Sequence, residues 1–161
     1  MAYACVRTDN MSGTVNGKDL VSLKFMVGEN EAPVENGNVV LVGDHLEGER
    51  EVRKATAPSK NADVYKCALV ASEEVVKSKA RNTLDEFRNE AGDIARGYRF
   101  VKYDCFSVTA AAFADGSALE VGATVELTDT TKLSAVADAT GASVVGKIVL
   151  IENEWYVIEV A

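Results

Sequence analysis

Apolar and polar side chains alternate along many short stretches of this chain of 161 residues. A period of two places the apolar side chains on one face of an extended segment, so it is typical of half-buried β-strands. The clearest case is 21–27, where only Met26 interrupts the alternation. Stretches of this kind predict strands at 21–27, 38–42, 51–57, 64–71, 98–101, 106–109, 124–128, 133–137, 147–151 and 155–160.

Turn-forming residues between these stretches favour the same fold class. The chain has twelve glycines and only two prolines. The dipeptides Asn16-Gly17, Asn36-Gly37 and Asp115-Gly116 readily accept the positive φ of tight turns. The short polar turn within 151–155 predicts a hairpin between the last two strands. Many short strands at this spacing predict a mainly β fold, either a compact β-barrel or a β-sandwich.

One segment departs from the strand pattern. Between 72 and 95, apolar residues recur at nearly helical spacing, and Thr83 and Glu86 match a capping box. Gly92 and Gly97 would end such a helix. We therefore expect one short helix or an ordered loop near 83–91, and no helix over the whole segment, because the stripe is weak across 72–82.

The charge balance excludes two classes of partner. The chain has 17 Lys and Arg against 25 Asp and Glu, a formal net charge of −8. Phosphate binding and polybasic membrane contacts both draw on a surplus of cations, so we expect no nucleic acid and no membrane as partners. The longest apolar runs, such as 67–71, have five residues, against the ~20 of a spanning helix. Charges among the first 27 residues also argue against a signal peptide.

Residues that could carry chemistry are sparse. His45 is the only histidine, and with Asp44 and Glu47 it is typical of a solvated loop between glycines rather than of a metal or catalytic site. The sequence has no Gly-x-Ser-x-Gly elbow, no phosphate-binding loop and no dinucleotide fingerprint. We therefore expect a protein without catalytic residues, metal or cofactor.

The cysteines also indicate a protein without catalytic residues. Cys5, Cys67 and Cys105 are odd in number and far apart, a pattern that favours reduced thiols in a cytosolic product over a disulfide framework. Cys67 lies in an apolar strand, and Cys105 follows Asp104, whose charge would raise the pKa of the thiol. Buried structural thiols are the interpretation that fits both.

Since the sequence favours neither catalysis nor metal or cofactor binding, we look for its function in a surface that contacts other proteins. Residues 1–27 predict an N-terminal arm that adds a strand to a neighbour's sheet, or else an ordinary first strand of the core, and 28–161 predict a single β-rich domain. A small cationic and aromatic patch at 96–99 is of the kind enriched at interfaces, although a solvated strand face would look the same. The candidate interface residues are Leu23, Phe25, Met26, Arg96, Tyr98 and Arg99.

Three stretches together carry a resemblance to a known class of protein. They are 34–43 (VENGNVVLVG) followed by 49–52 and 57–58, 87–98 (FRNEAGDIARGY) running into 104–109, and 121–127 (VGATVEL) with 132–133. In these stretches, which span about 34–135, the chain resembles the head decoration, or cement, proteins of tailed bacteriophages. The most specific part is the segment Asn-Glu-Ala-Gly…Ala-Arg-Gly-Tyr at 89–98.

The resemblance implies a function without catalysis. It implies a virion structural protein, made in the host cytoplasm and located on the outer head surface, that binds the capsid lattice and stabilises it. The implied partners are the major capsid protein and further copies of the chain itself, as in a homo-oligomer such as a trimer. Two alternatives remain open: another virion component, such as a head-fibre base, tail or baseplate module, and a carbohydrate-binding or hydrolytic β-sandwich domain.

Overall fold

In a computed structural model, which describes residues 2–75 and 83–161, the chain forms two β-sheets. The described residues contain no α-helix; five short 3-10 helices lie at Ser12–Thr14, Gly17–Asp19, Val64–Lys66, Leu84–Glu86 and Ala110–Ala112. The strands are β1 Val6–Asn10, β2 Leu20–Val27, β3 Asn30–Glu31, β4 Val39–His45, β5 Val52–Thr56, β6 Cys67–Val70, β7 Ala95–Arg99, β8 Cys105–Val108, β9 Thr124–Glu126, β10 Ser134–Val136, β11 Val144–Glu152 and β12 Trp155–Val160. The predicted mainly β fold is confirmed.

One sheet closes into a five-stranded barrel. Its strands follow the order β2, β5, β4, β6 and β7, and β7 returns to pair with β2, while β3 extends β2 as a hairpin outside the ring. The β2–β5 pair is parallel and the other barrel pairs are antiparallel. Closure leaves no unpaired edge in the ring. The interior is filled by Val21, Leu23, Phe25, Val40, Ala55, Ala68, Val70 and Ala95.

The other sheet is open, antiparallel and ordered β1, β8, β12, β11, β9, β10. Its buried side chains join a larger core cluster, to which the barrel contributes Val39, Cys67 and Leu69. On β4 and β6, successive side chains therefore point alternately into the barrel and into this larger core. Strands that are buried on both faces have continuous apolar runs, which explains why residues 67–70 do not alternate.

The turns follow the sequence in most places. Gly37 and Gly116 have φ values of 84° and 80°, as predicted. Asn153, with φ of 56°, lies in the tight turn of the predicted β11–β12 hairpin, where Glu152 faces Trp155. The Asn16-Gly17 prediction is wrong, because Gly17 begins a 3-10 helix and the Asn16 side chain caps it by accepting a hydrogen bond from the Lys18 backbone N–H.

The segment near 83–91 contains a single helical turn. The Thr83–Glu86 capping box is present around Leu84–Glu86, and the Glu86 carboxylate accepts a 3.4 Å hydrogen bond from the Thr83 N–H. The chain then extends, because Phe87 is buried and Asn89 forms an antiparallel bridge with Val34. Part of the weaker helical stripe, at 76–82, lies outside the described residues.

Residues before position 28 belong to both sheets. β1 pairs with β8 at the edge of the open sheet, whereas β2 lies inside the barrel, between β5 and β7. Of the two alternatives for residues 1–27, an arm that pairs with a neighbour or a strand of the core, β2 is a strand of the core, because its apolar face fills the barrel. Deleting 1–27 would remove a barrel strand and could not leave the rest intact. Two strands were not predicted from the sequence: β1, whose buried position is Val6, and the two-residue β3.

Candidate functional site

A groove with a volume of about 460 Å³ lies at the end of the barrel where β2 and β5 begin and β4 and β7 end, and it is rich in cationic side chains. Its cationic residues are Lys18, Arg50, Arg53, Arg96 and Arg99, and His45 lines it as well. The only carboxylate among the described lining residues belongs to Glu51. A concentration of positive charge is unexpected on a chain of this net charge, so the groove is the strongest candidate for a functional site.

Barrel closure brings these residues together from four separate parts of the sequence. Pairing of β2 with β7 sets Ser22 opposite Arg96, and pairing of β4 with β5 sets His45 opposite Arg53. Lys18 comes from the 3-10 helix that precedes β2. The groove therefore depends on a closed barrel and on the β2–β7 contact in particular.

The charges of the groove and of the remaining molecule are opposite. Five cations and one carboxylate give the groove lining a formal charge of +4, which leaves −12 on the rest of the chain. Low-dielectric walls focus the field of charges that line one cleft. The groove is thus a local positive potential on an otherwise acidic surface.

Among the described residues, the groove cations have no ion-pair partner. Across 2–75 and 83–161, none of the five forms an ion pair, although the pairs Lys24–Glu31 and Arg88–Glu90 occur elsewhere, at 3.0 and 2.9 Å. Arg53 donates a 3.1 Å hydrogen bond from its guanidinium to the Gly43 carbonyl, which orients this side chain without cancelling its charge. The positive charge of the groove is available to an external anion.

The six residues predicted as an interface occupy three different environments. Arg96 and Arg99 line the groove. Met26 and Tyr98 are half-buried. Leu23 and Phe25 are 0% and 7% exposed, inside the barrel, and this corrects their assignment to a contact surface, because an enclosed side chain cannot contact a partner.

Tyr98 packs against the turn that precedes β2. A Cβ atom built on Gly13 would lie only 2.7 Å from Tyr98 Cδ1, so the ring packs directly against the 3-10 helix at Ser12–Thr14. Asp104 anchors this turn by accepting a 3.0 Å hydrogen bond from the Ser12 N–H, and its other oxygen accepts a 3.1 Å bond from the Val101 N–H. Burial raises the pKa of Asp104, while these two bonds oppose the rise. Its contacts give this carboxylate a structural role.

The three thiols are free and none is activated. Burial is the main cause that raises the pKa of Cys5 and Cys105, and it raises the pKa of Cys67 to about 12. A thiol with a raised pKa is a poor nucleophile at neutral pH. This agrees with the structural interpretation of Cys67 and Cys105 made from the sequence. In the part of the chain described, no group of three or more His, Cys, Asp or Glu side chains could hold a metal ion.

Two stretches that the sequence singled out, 34–43 and 87–98, are in direct contact. Val34 and Asn89 exchange two backbone hydrogen bonds of 2.9 Å. The buried Asn89 side chain donates to the Val34 carbonyl at 3.1 Å and to Asn36 Oδ1 at 3.4 Å. Asn36 in turn bonds both the N–H and the carbonyl of Ser72, at 2.9 Å each. The stretches 34–43 and 87–98 thus form one packed unit.

Sequence reasoning missed Lys18, Arg50 and Arg53, and it interpreted His45 as part of a solvated loop. No linear pattern could have found them, because the groove is assembled by strand pairing between distant segments. Comparison with known proteins found no matching family model, no matching curated protein and no matching solved structure. None of the helices described is long and apolar enough to cross a membrane.

Proposed function

We propose that this chain is a decoration protein of a tailed-bacteriophage head, a virion structural protein that binds the outer capsid lattice and stabilises it. The proposal starts from the sequence resemblance of the three stretches between 34 and 135. Its partners are the major capsid protein and further copies of the chain itself. It acts at the outer head surface after synthesis in the host cytoplasm, and it performs no catalysis.

The observation that carries the proposal is the contact between stretches 34–43 and 87–98. A resemblance that arose by chance would be expected to scatter over unrelated parts of a fold. Here the two stretches share the Val34–Asn89 bridge and the buried Asn36–Asn89 hydrogen bond. Two of the three stretches therefore belong to one packed unit, while 121–127 contains β9 of the open sheet, and the contact between the first two supports a shared architecture.

The physical properties of the molecule suit such a role. A protein that binds only the assembled lattice stabilises it by mass action, and many copies on a closed shell add up individually weak contacts. The work requires a stable body and a complementary contact surface. The barrel and the open sheet supply the body, and the cationic groove supplies a surface of defined charge.

The test is a titration of the full chain onto expanded, DNA-filled heads of the source virus, read by co-sedimentation. We expect saturation at a fixed number of copies per capsid subunit and heads that resist heating better than undecorated ones. Unexpanded heads serve as the matched control, and we expect less binding to them. Absence of binding to expanded heads would overturn the proposal, and parallel titrations with tail assemblies and glycan ligands would then separate the alternatives.

A further inference from the structure

We infer that the cationic groove binds a short acidic segment of a partner polypeptide, through the carboxylates of that segment. The inference rests on the proposed function only for the identity of the partner, which would be the capsid protein. The chemistry of the groove itself carries the rest of the argument.

The groove is built for an anion. Arg50, Arg53, Arg96 and Arg99 line one volume of about 460 Å³ without ion-pair partners among the described residues. Like charges held close together repel each other, and a bound anion removes that repulsion. Guanidinium groups also match carboxylates geometrically, since each can donate two parallel hydrogen bonds to the two oxygens.

Two features favour an acidic peptide over nucleic acid. A duplex carries one negative charge per ~1.7 Å and continues far beyond a cavity of this size, so it would meet the remaining surface, whose formal charge is −12. Single strands are usually held by bases that stack on aromatic rings. The described lining residues include no Phe, Tyr or Trp. A short run of carboxylates would satisfy the cations and stay inside the groove.

The position of the cations allows a sharp test. Arg96 lies in β7 and Arg99 is its last residue, whereas Arg50 precedes β5 and Arg53 lies in it, so two double variants address two separate strands. Lys66 and Lys102 are exposed and do not line the groove. The K66E/K102E variant therefore matches R96E/R99E in its change of net charge and serves as the control.

The experiment is a fluorescence-anisotropy titration of the full chain, at low and at physiological salt. The probes are a labelled glutamate-rich decapeptide, the corresponding glutamine peptide, and a single-stranded oligonucleotide with the same number of charges as the glutamate peptide. We expect binding of the glutamate peptide alone, weakened by salt because exposed charges are screened. R96E/R99E and R50E/R53E should each reduce its affinity by roughly tenfold or more, and K66E/K102E by less than about twofold.

Two outcomes of the titration would overturn the inference. Equal loss in K66E/K102E would mean that net charge alone governs binding, and tighter binding of the oligonucleotide would mean a nucleic-acid site. Circular dichroism of every variant separates lost binding from lost folding, and the second groove variant keeps the test valid if one fails to fold. Variants that still decorate heads normally would overturn the groove inference and leave the proposed function standing. Peptide binding without head binding would do the reverse.

Discussion

The Asn89 side chain donates a 3.4 Å hydrogen bond to the side-chain oxygen of Asn36, a residue 53 positions earlier in the chain. Both residues are almost fully buried. Asn36 also bonds the backbone of Ser72, so the pair ties together three segments that enter or leave the barrel. A buried amide that is satisfied on both ends fixes one packing arrangement, because any other would leave polar groups without partners.

The first prediction concerns this pair. Asn36→Ala should lower the free energy of unfolding by about 2–3 kcal/mol, because it leaves the N–H and carbonyl of Ser72 without these partners. Asn89→Ala should cost about 1 kcal/mol, because the backbone bridge to Val34 remains. Urea unfolding measures both, with the exposed Asn61→Ala as the control. If Asn36→Ala proved as harmless as Asn61→Ala, the pair would have no role in stability.

The second prediction concerns the β11–β12 hairpin. A Cβ atom on Gly146 would lie 1.9 Å from the Glu159 carbonyl oxygen, and backbone atoms cannot move aside as a flexible side chain can. Gly146→Ala should therefore destabilise the fold by about 3 kcal/mol, the upper end for overpacking. The control is Gly17→Ala, where a Cβ would meet nothing within 4 Å. Thermal unfolding compares the two, and equal melting temperatures would contradict the close approach of these strands.

The sequence predicted the strands well wherever apolar and polar residues alternate regularly or a clear turn bounds the strand. β2 alternates and fills the barrel with one face, and β12 was predicted at its observed bounds because a polar turn precedes it. β1 was missed because its pattern has a single buried position, and its strand character comes from pairing with β8. Local pattern cannot reveal a strand that only tertiary pairing stabilises.

The candidate site was much harder to predict. Arg96 and Arg99 were predicted as interface residues, and this stays a prediction; the structure places both along the groove, together with cations from as far as 81 positions earlier in the chain. Leu23 and Phe25 were predicted to lie on a contact surface, because apolar alternation indicates a buried face but does not tell whether the chain itself or a partner protein buries it. In this barrel, the chain itself buries that face.

The third prediction follows from the Cys67 thiol. Burial raises its pKa from 9.0 to about 12 in the folded chain, so folding favours the protonated form. The stabilisation is complete below pH 9 and is lost as the pH rises from about 9 toward 12, because the unfolded chain loses this proton first. Urea unfolding at pH 8 and pH 10 should show a larger loss of stability in the native chain than in Cys67→Ala. The other thiols are common to both proteins, so an identical loss would mean that Cys67 ionises normally.

The fourth prediction concerns a buried carboxylate at the end of β9. Glu126 is 2% exposed, and its oxygens accept hydrogen bonds from the N–H and the hydroxyl of Thr140, at 2.9 and 2.5 Å. Thr140→Val removes the hydroxyl but keeps the shape, and it should cost about 1–3 kcal/mol because a buried acceptor loses a donor. Thr140→Ser keeps the hydroxyl and should cost less than about 1 kcal/mol. Urea unfolding of the two variants decides the question, because a hydroxyl that stabilises Glu126 must make the valine variant the less stable one.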